Sequence, residues 1–233
     1  MIQERQNLIF NCDLCFFKHI MKRYISDAQF ETLSNGAIQL RFKKGEHLLK
    51  QNGKFTHIAY LHKGRVKFNY ENEFGKNLIL TIVNSPILLG SANIFNENIN
   101  LFSITAIEDC EACMIDVLIF KELVLNNSAL SMRLLEFTTS LFKSSILNFV
   151  SLVHKQVNGR IADILIYLSK NIYKSENFLL TLTRNEIAEF AGCSQENVIH
   201  TLSRFDRDGI IKIEGKRIII KDSDRLNKIS RNG

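Results

Sequence analysis

The chain reads as an α+β fold, with an antiparallel β-roll first, one long helix in the middle and a winged helix-turn-helix at the end. Three observations predict it. Glycines punctuate short β-rich runs between positions 37 and 117, and glycine and proline are both absent from Leu118 to Gln156. Near the C-terminus, two amphipathic helical segments meet at Gly192 and are followed by a basic hairpin. The expected divisions are 1–117 for the β-roll, 118–156 for the long helix and 157–233 for the winged head. At 233 residues the chain is long enough for separate cores.

Asp27 to Leu33 is expected to be a short helix ahead of the roll. Within the roll, Ile58–Leu61, Val66–Tyr70, Leu78–Val83 and Phe102–Ala106 are the clearest strands. Turn residues at roughly ten-residue spacing separate such runs in an all-β sandwich or barrel. In the middle segment Leu135, Phe142 and Phe149 recur every seven residues, with Thr138, Ser145 and Leu152 three further on. That is an a/d seam on a helix of about 25 residues, ~38 Å long. A second stripe at Leu134, Leu141 and Ile146 gives the helix two partners to face, its own domain and another subunit. Val157–Arg160 breaks the pattern as a hinge, and a new helix is expected from Ile161 to Ile172.

The C-terminal segment is the most informative. Thr183 and Glu186 form a capping box, each satisfying an orphan donor of a starting helix. Ile187 and Phe190 supply its apolar face, and Gly192 permits the turn that ends it. Ser194 is a natural N-cap for a second helix, in which Val198, Leu202 and Phe205 face inward. Gln195, Glu196, Asn197, His200, Ser203 and Arg204 are left facing out, nearly all with hydrogen-bonding groups. A helix presenting such residues from its N-terminal end suits the major groove of DNA. Asp208-Gly209 and Glu214-Gly215 bracket a short β run, with Gly215-Lys216-Arg217 as a phosphate-contacting wing tip.

Composition agrees without proving it. Thirty basic and 24 acidic residues give a net charge of +6, and from Lys155 onward 14 basic side chains face 10 acidic ones. The excess therefore sits with the reading head, where a polyanion would want it. Charged residues interrupt every apolar stretch near the start, so no signal peptide is expected, and no run approaches the ~20 apolar residues of a membrane span. A cytoplasmic protein is expected, with its five cysteines as thiols or ligands rather than disulfides. No Walker loop, HExxH, GxSxG or dinucleotide fingerprint is present, so the chain is not expected to be an enzyme and no catalytic residue is assigned.

In this order the parts resemble the Crp/Fnr family of bacterial transcription regulators over nearly the whole chain. The specific stretches are Val157-Asn158-Gly159-Arg160-Ile161-Ala162, Leu182-Thr183-Arg184-Asn185-Glu186-Ile187-Ala188 and Gly192-Cys193-Ser194-Gln195-Glu196-Asn197-Val198. Gly45, Gly64 and Gly90 match the family's roll glycines, and Asp222–Leu226 is similar to Bacteroidetes-type members. The resemblance implies a cyclic-nucleotide-binding-like jelly roll, a homodimer joined by the long helix, double-stranded DNA and RNA polymerase as partners, and an inverted-repeat operator. The DNA-binding residues it points to are Thr183, Arg184, Ser194, Gln195, Glu196, Asn197, His200, Arg204, Lys216 and Arg217. Arg184, Lys216 and Arg217 are assigned to phosphates. Glu196 can accept from cytosine, whereas Gln195 and His200 stand where arginines are frequent. The half-site is therefore predicted to depend less on guanine than the usual GTGA type.

Members that respond to cyclic AMP carry Gly-Glu in the roll and an Arg-Ser or Arg-Thr pair about ten residues later. The corresponding residues here are Gly90-Ser91 and Phe102-Ser103. Burying a phosphate without its arginine costs several kcal/mol, which argues against cyclic AMP. Gly90, Ser91, Ser103 and Ser145 are the candidate pocket for a less charged small-molecule effector, and serines there are equally compatible with a structural role. The cysteines suggest an alternative redox or gas sensor. Cys12, Cys15 and Cys113 are the metal candidates, because iron–sulfur members hold a cluster with an N-terminal cysteine group and one distant cysteine. Zinc also suits such thiolates. Cys110 and Cys113 sit three apart on a strand and face opposite sides, which suits small buried fillers. For haem, His47, His57, His62, Met114 and His154 are the candidate axial ligands.

Overall fold

The structure, a computed structural model, describes residues 15–95 and 99–233. The chain divides into two compact units. Among the described residues, one comprises 15–68 with 83–95 and 99–142, and the other comprises 69–82 with 143–233.

The first unit opens with α1 (Phe16–Met21) and α2 (Asp27–Asn35). A capping box starts α2: Gln29 N donates to Ser26 Oγ at 3.2 Å and Ser26 N donates to Gln29 Oε1 at 2.9 Å. The strands follow as β1 (Ile38–Phe42), β2 (His47–Leu49), β3 (His57–Lys63), β4 (Arg65–Glu71), β5 (Asn77–Asn84), β6 (Ile87–Leu89), β7 (Ser103–Ala106) and β8 (Cys110–Asp116). They form two four-stranded sheets, in the orders β1-β8-β3-β6 and β2-β7-β4-β5. Ile58, Leu61, Val66, Ile104 and Ile115 are wholly buried in the roll. The turn from β3 to β4 requires glycine: Gly64 has φ +103°, and a Cβ there would lie 2.5 Å from Cys110 Sγ.

The segment expected to hold a helix of about 25 residues contains one of 27, preceded by a separate short helix where a continuous one was expected from 118. α3 spans Val117–Leu125 and α4 spans Ser128–His154. Asn126 caps α3, and Asn127 restarts the chain, its Oδ1 accepting from Leu130 N at 2.9 Å while its Nδ2 donates to the Tyr24 carbonyl. Side-chain amides that satisfy helix ends in this way override an uninterrupted apolar pattern.

In the second unit α5 (Val157–Tyr167) begins four residues earlier than expected, after Gln156, and is followed by a single wide turn at Leu168–Ile172. Then come β9 (Asn177–Leu179), α6 (Arg184–Ala191), α7 (Gln195–Arg207), β10 (Ile211–Glu214), β11 (Arg217–Ile220) and α8 (Ser223–Asn232). The three strands form one sheet in the order β10-β11-β9. Its core contains Ile161, Leu165, Ile187, Val198, Leu202, Phe205, Ile218 and Leu226, each at most 1% exposed. Asp163 of α5 accepts from Ser151 Oγ at 2.6 Å and from Lys155 Nζ at 2.7 Å, tying the end of α4 across the bend. The 69–82 hairpin is held to this unit through the edge of β5. Asn148 donates to the Leu80 carbonyl at 3.0 Å and Tyr167 to that of Ile82 at 2.5 Å. Those carbonyls would otherwise be open for edge pairing.

Candidate nucleic-acid interface

The reading surface is built by local chemistry. Glu186 N donates to Thr183 Oγ1 at 3.1 Å and Thr183 N donates to Glu186 Oε2 at 2.8 Å, completing the expected capping box. α6 ends at Gly192, whose φ of +57° is the left-handed conformation that glycine adopts without a steric penalty. Arg160 donates to the Gly192 carbonyl at 3.2 Å, fixing the turn from the side of α5. Asn197 N then donates to Ser194 Oγ at 3.3 Å, and α7 begins.

The two faces of α7 separate as the spacing requires. Val198, Leu202 and Phe205 are buried, and the buried Thr201 hydroxyl is satisfied by Asn158 Oδ1 at 3.0 Å. Gln195, Glu196, Asn197, His200, Ser203 and Arg207 are exposed. Ile199, outside the residues assigned from sequence, is also exposed, at 47%. Its signal was one apolar residue inside a polar face. The Glu196 carboxylate is held below the usual carboxylate range by its own backbone amide and by Ser194, so it stays an ionised acceptor.

Other assigned residues are more tied down. The Thr183 and Ser194 hydroxyls are used as caps. Arg204 is half-buried, its guanidinium 5.9 Å from the Phe205 ring centroid. Arg184 is half-buried too, and burial lowers its pKa from the ordinary arginine value. In the wing, Lys216 is exposed at the tip, where Gly215 has φ +62°. Arg217 is exposed as well, but donates to Asn177 Oδ1 at 2.8 Å, a partner on β9 that the sequence reading did not anticipate. Ile213 N donates to Asp206 Oδ1 at 3.0 Å, which fixes the wing against the end of α7.

The candidate effector residues do not come together in one unit. Gly90, with φ +87°, and the buried Ser91 and Ser103 belong to the roll. Ser103 Oγ already accepts from Gln51 N at 3.0 Å, and Phe102 packs on Phe68 with ring centroids 5.3 Å apart. Ser145 belongs to the second unit and is exposed on α4.

Among the metal candidates, Cys12 lies outside the described residues, Cys15 is buried and Cys113 is half-buried. No group of three or more His, Cys, Asp or Glu among the described residues is placed to hold a metal ion. Cys110 is a filler on the opposite side of β8, with Sγ donating to the carbonyls of Glu108 and Arg65 at 3.2 and 3.3 Å. Burial pushes its thiol up to about 11. Of the haem candidates, His47 Nδ1 is 2.8 Å from Thr105 Oγ1 and His57 Nδ1 is 2.9 Å from Thr56 Oγ1.

Two family models match the chain, a cyclic nucleotide-binding domain over residues 39–127 and a Crp-like helix-turn-helix domain over 159–229. A CRP-like cAMP-activated global transcriptional regulator of Mycobacterium tuberculosis is 27% identical over 194 residues, covering 82% of this chain and 87% of the relative. The cAMP-activated global regulator CRP of Salmonella typhimurium is 28% identical over 177 residues, covering 74% and 84%. Among solved structures, FixK2 from Bradyrhizobium japonicum superposes with a TM-score of 0.76 at 16% identity, covering 83% of this chain and 96% of that one. A Crp/Fnr-family regulator from Eubacterium rectale gives 0.75 at 20% identity, covering 89% and 96%. No helix among the described residues is long and apolar enough to cross a membrane.

Proposed function

Since the chain belongs to the Crp/Fnr family of transcription regulators, we propose that it binds an inverted-repeat operator as a homodimer, answering to an effector other than cyclic AMP. That it is a DNA-binding transcription regulator and not an enzyme follows from the family. The observation that carries the dimer is the stripe Leu135, Phe142 and Phe149 on α4, exposed at 60%, 64% and 66%. Apolar residues at heptad spacing on one face call for a second helix. A two-fold dimer sets two recognition helices about one DNA turn, ~34 Å, apart. The reading heads then recruit or block RNA polymerase in the cytoplasm, where the DNA is.

The relatives named for cyclic AMP suggest a nucleotide in the roll, and the residues of this roll argue otherwise. Ser91 stands at the acidic position and Phe102 at the arginine position, where it packs on Phe68. A phosphate there would be buried without its counter-charge. A small, less charged molecule against Ser91 and Ser103 fits better, and it would act by shifting the population of DNA-competent dimers.

The test is selection of binding sites from random duplex DNA by the full-length protein, followed by titration calorimetry with cyclic AMP. An enriched inverted repeat with half-sites one turn apart, and no heat from cyclic AMP, is expected. A single unrepeated site would overturn the dimer reading, and micromolar cyclic AMP binding the effector reading.

A further inference from the structure

We infer that Ile199 is a specificity residue that reads the 5-methyl group of a thymine in each half-site, an inference that rests on the DNA-binding role of α7. The other large apolar side chains of this helix, Val198, Leu202 and Phe205, are at most 1% exposed, whereas Ile199 is 47% exposed. Between 157 and 233 the other large hydrophobic residue so exposed is Leu179, on β9. An exposed isoleucine contributes little to the fold, since the gain of an apolar side chain comes from leaving water. Its branched Cβ also makes it a poorer helix former than the straight-chain residues usual on a solvent face.

Its position on the helix gives it a use. At 100° per residue, Ile199 falls on the outward face beside Glu196, three residues before it. Gln195 and Ser203, four residues to either side, continue the same stripe at about 6 Å intervals. Ile199 is thus the apolar member of a face of hydrogen-bonding groups. The major groove has a matching asymmetry. Every base edge there presents donors or acceptors, and thymine alone adds a methyl group. A stiff, branched side chain with one dominant rotamer in a helix meets that methyl at little entropic cost. Gln195, one turn earlier, suits adenine. The pair Gln195 and Ile199 therefore biases the half-site toward A·T pairs beside the base that Glu196 reads.

The experiment starts from the operator selected by the full-length protein. Each thymine is replaced in turn by deoxyuridine, which removes only the methyl group, and affinity is measured by fluorescence anisotropy at fixed salt. Wild-type protein should lose roughly fourfold per half-site at one thymine and nothing at the others. Ile199→Ala should bind thymine and uracil equally at that position while keeping its other base preferences, with an unchanged melting temperature. Ile199→Val should keep a partial response. A flat uracil scan on a genuine operator, or an equal loss in Ile199→Ala, overturns the thymine contact and leaves the DNA-binding role intact. Enrichment of no sequence by wild-type protein overturns both.

Discussion

The β-roll buries a small set of uncharged polar side chains. Ser91, Asn100, Ser103 and Thr105 are all 6% exposed or less, and several already have protein partners: Ser103 with Gln51 N, Thr105 with His47, Asn100 with the Lys50 carbonyl. Helix α7 does the reverse, carrying Gln195, Glu196, Asn197 and His200 outward on a fully buried apolar seam. The difference suits a DNA reader on one side and the enclosed effector site proposed for the roll on the other. DNA is large and presents its groove as a surface, so its reader needs exposed groups on a rigid element, supported by hydrogen bonds a few residues apart. A small effector has to be enclosed, so its contacts converge from distant strands and are hard to distinguish from polar groups that serve the fold.

Helix α4 stands between these cases, with an exposed surface that is apolar, and changing it should give the largest effect. Phe142→Asp with Phe149→Asp should leave each unit folded but separate the two heads. Operator affinity should fall by about 10²-fold or more as the second head's effective concentration is lost. Sedimentation together with anisotropy would check this; a dimer of unchanged affinity would place the interface elsewhere. A smaller loss is expected inside the reading face. Glu196→Ala should cost about 1–3 kcal/mol of discrimination at one base pair with little change in melting temperature. The folded carboxylate is held low by its own amide and Ser194. Its support of the helix start is therefore complete above the ordinary carboxylate range and is lost as pH falls through the lowered value. Operator preference at the cytosine should accordingly be flat from pH 8 to pH 5; a decline across that window would show that the carboxylate titrates higher.

The same contrast governs what the sequence made legible. The capping box at Thr183 and Glu186, the left-handed Gly192 and the cap at Ser194 are contacts within a few residues, so spacing alone located them. The break at Asn126-Asn127 was missed because its cause is partly remote: Asn127 reaches the Tyr24 carbonyl. Strand β9 was missed because it pairs with β11, some forty residues later. The grouping of the 69–82 hairpin with the head, through Asn148 and Tyr167, has no local signature either. Ser145 was assigned to the effector pocket by resemblance, but the chain places it in the other compact unit.

Two lesser effects probe how tightly each region is built. Gly192→Ala puts a Cβ at φ +57°, 3.1 Å from Leu152 and 3.4 Å from Arg160 Nη1. A left-handed residue with a side chain costs about 1–2 kcal/mol, so denaturant unfolding of the head should shift by that amount; no shift would mean the turn relaxes. In the roll the probe is chemical. Cys110 is 2% exposed, donates to two carbonyls, and its thiol is pushed up to about 11. At pH 7.5 its thiolate fraction should be lower than that of an ordinary cysteine by a factor on the order of 10². Iodoacetamide should therefore label Cys110 far more slowly in the native protein than after denaturation. Cys113, half-buried on the opposite side of the same strand, is the internal comparison. Rapid native labelling at Cys110 would mean that the roll opens locally, and its buried serines would then be reachable by an effector without a preformed pocket.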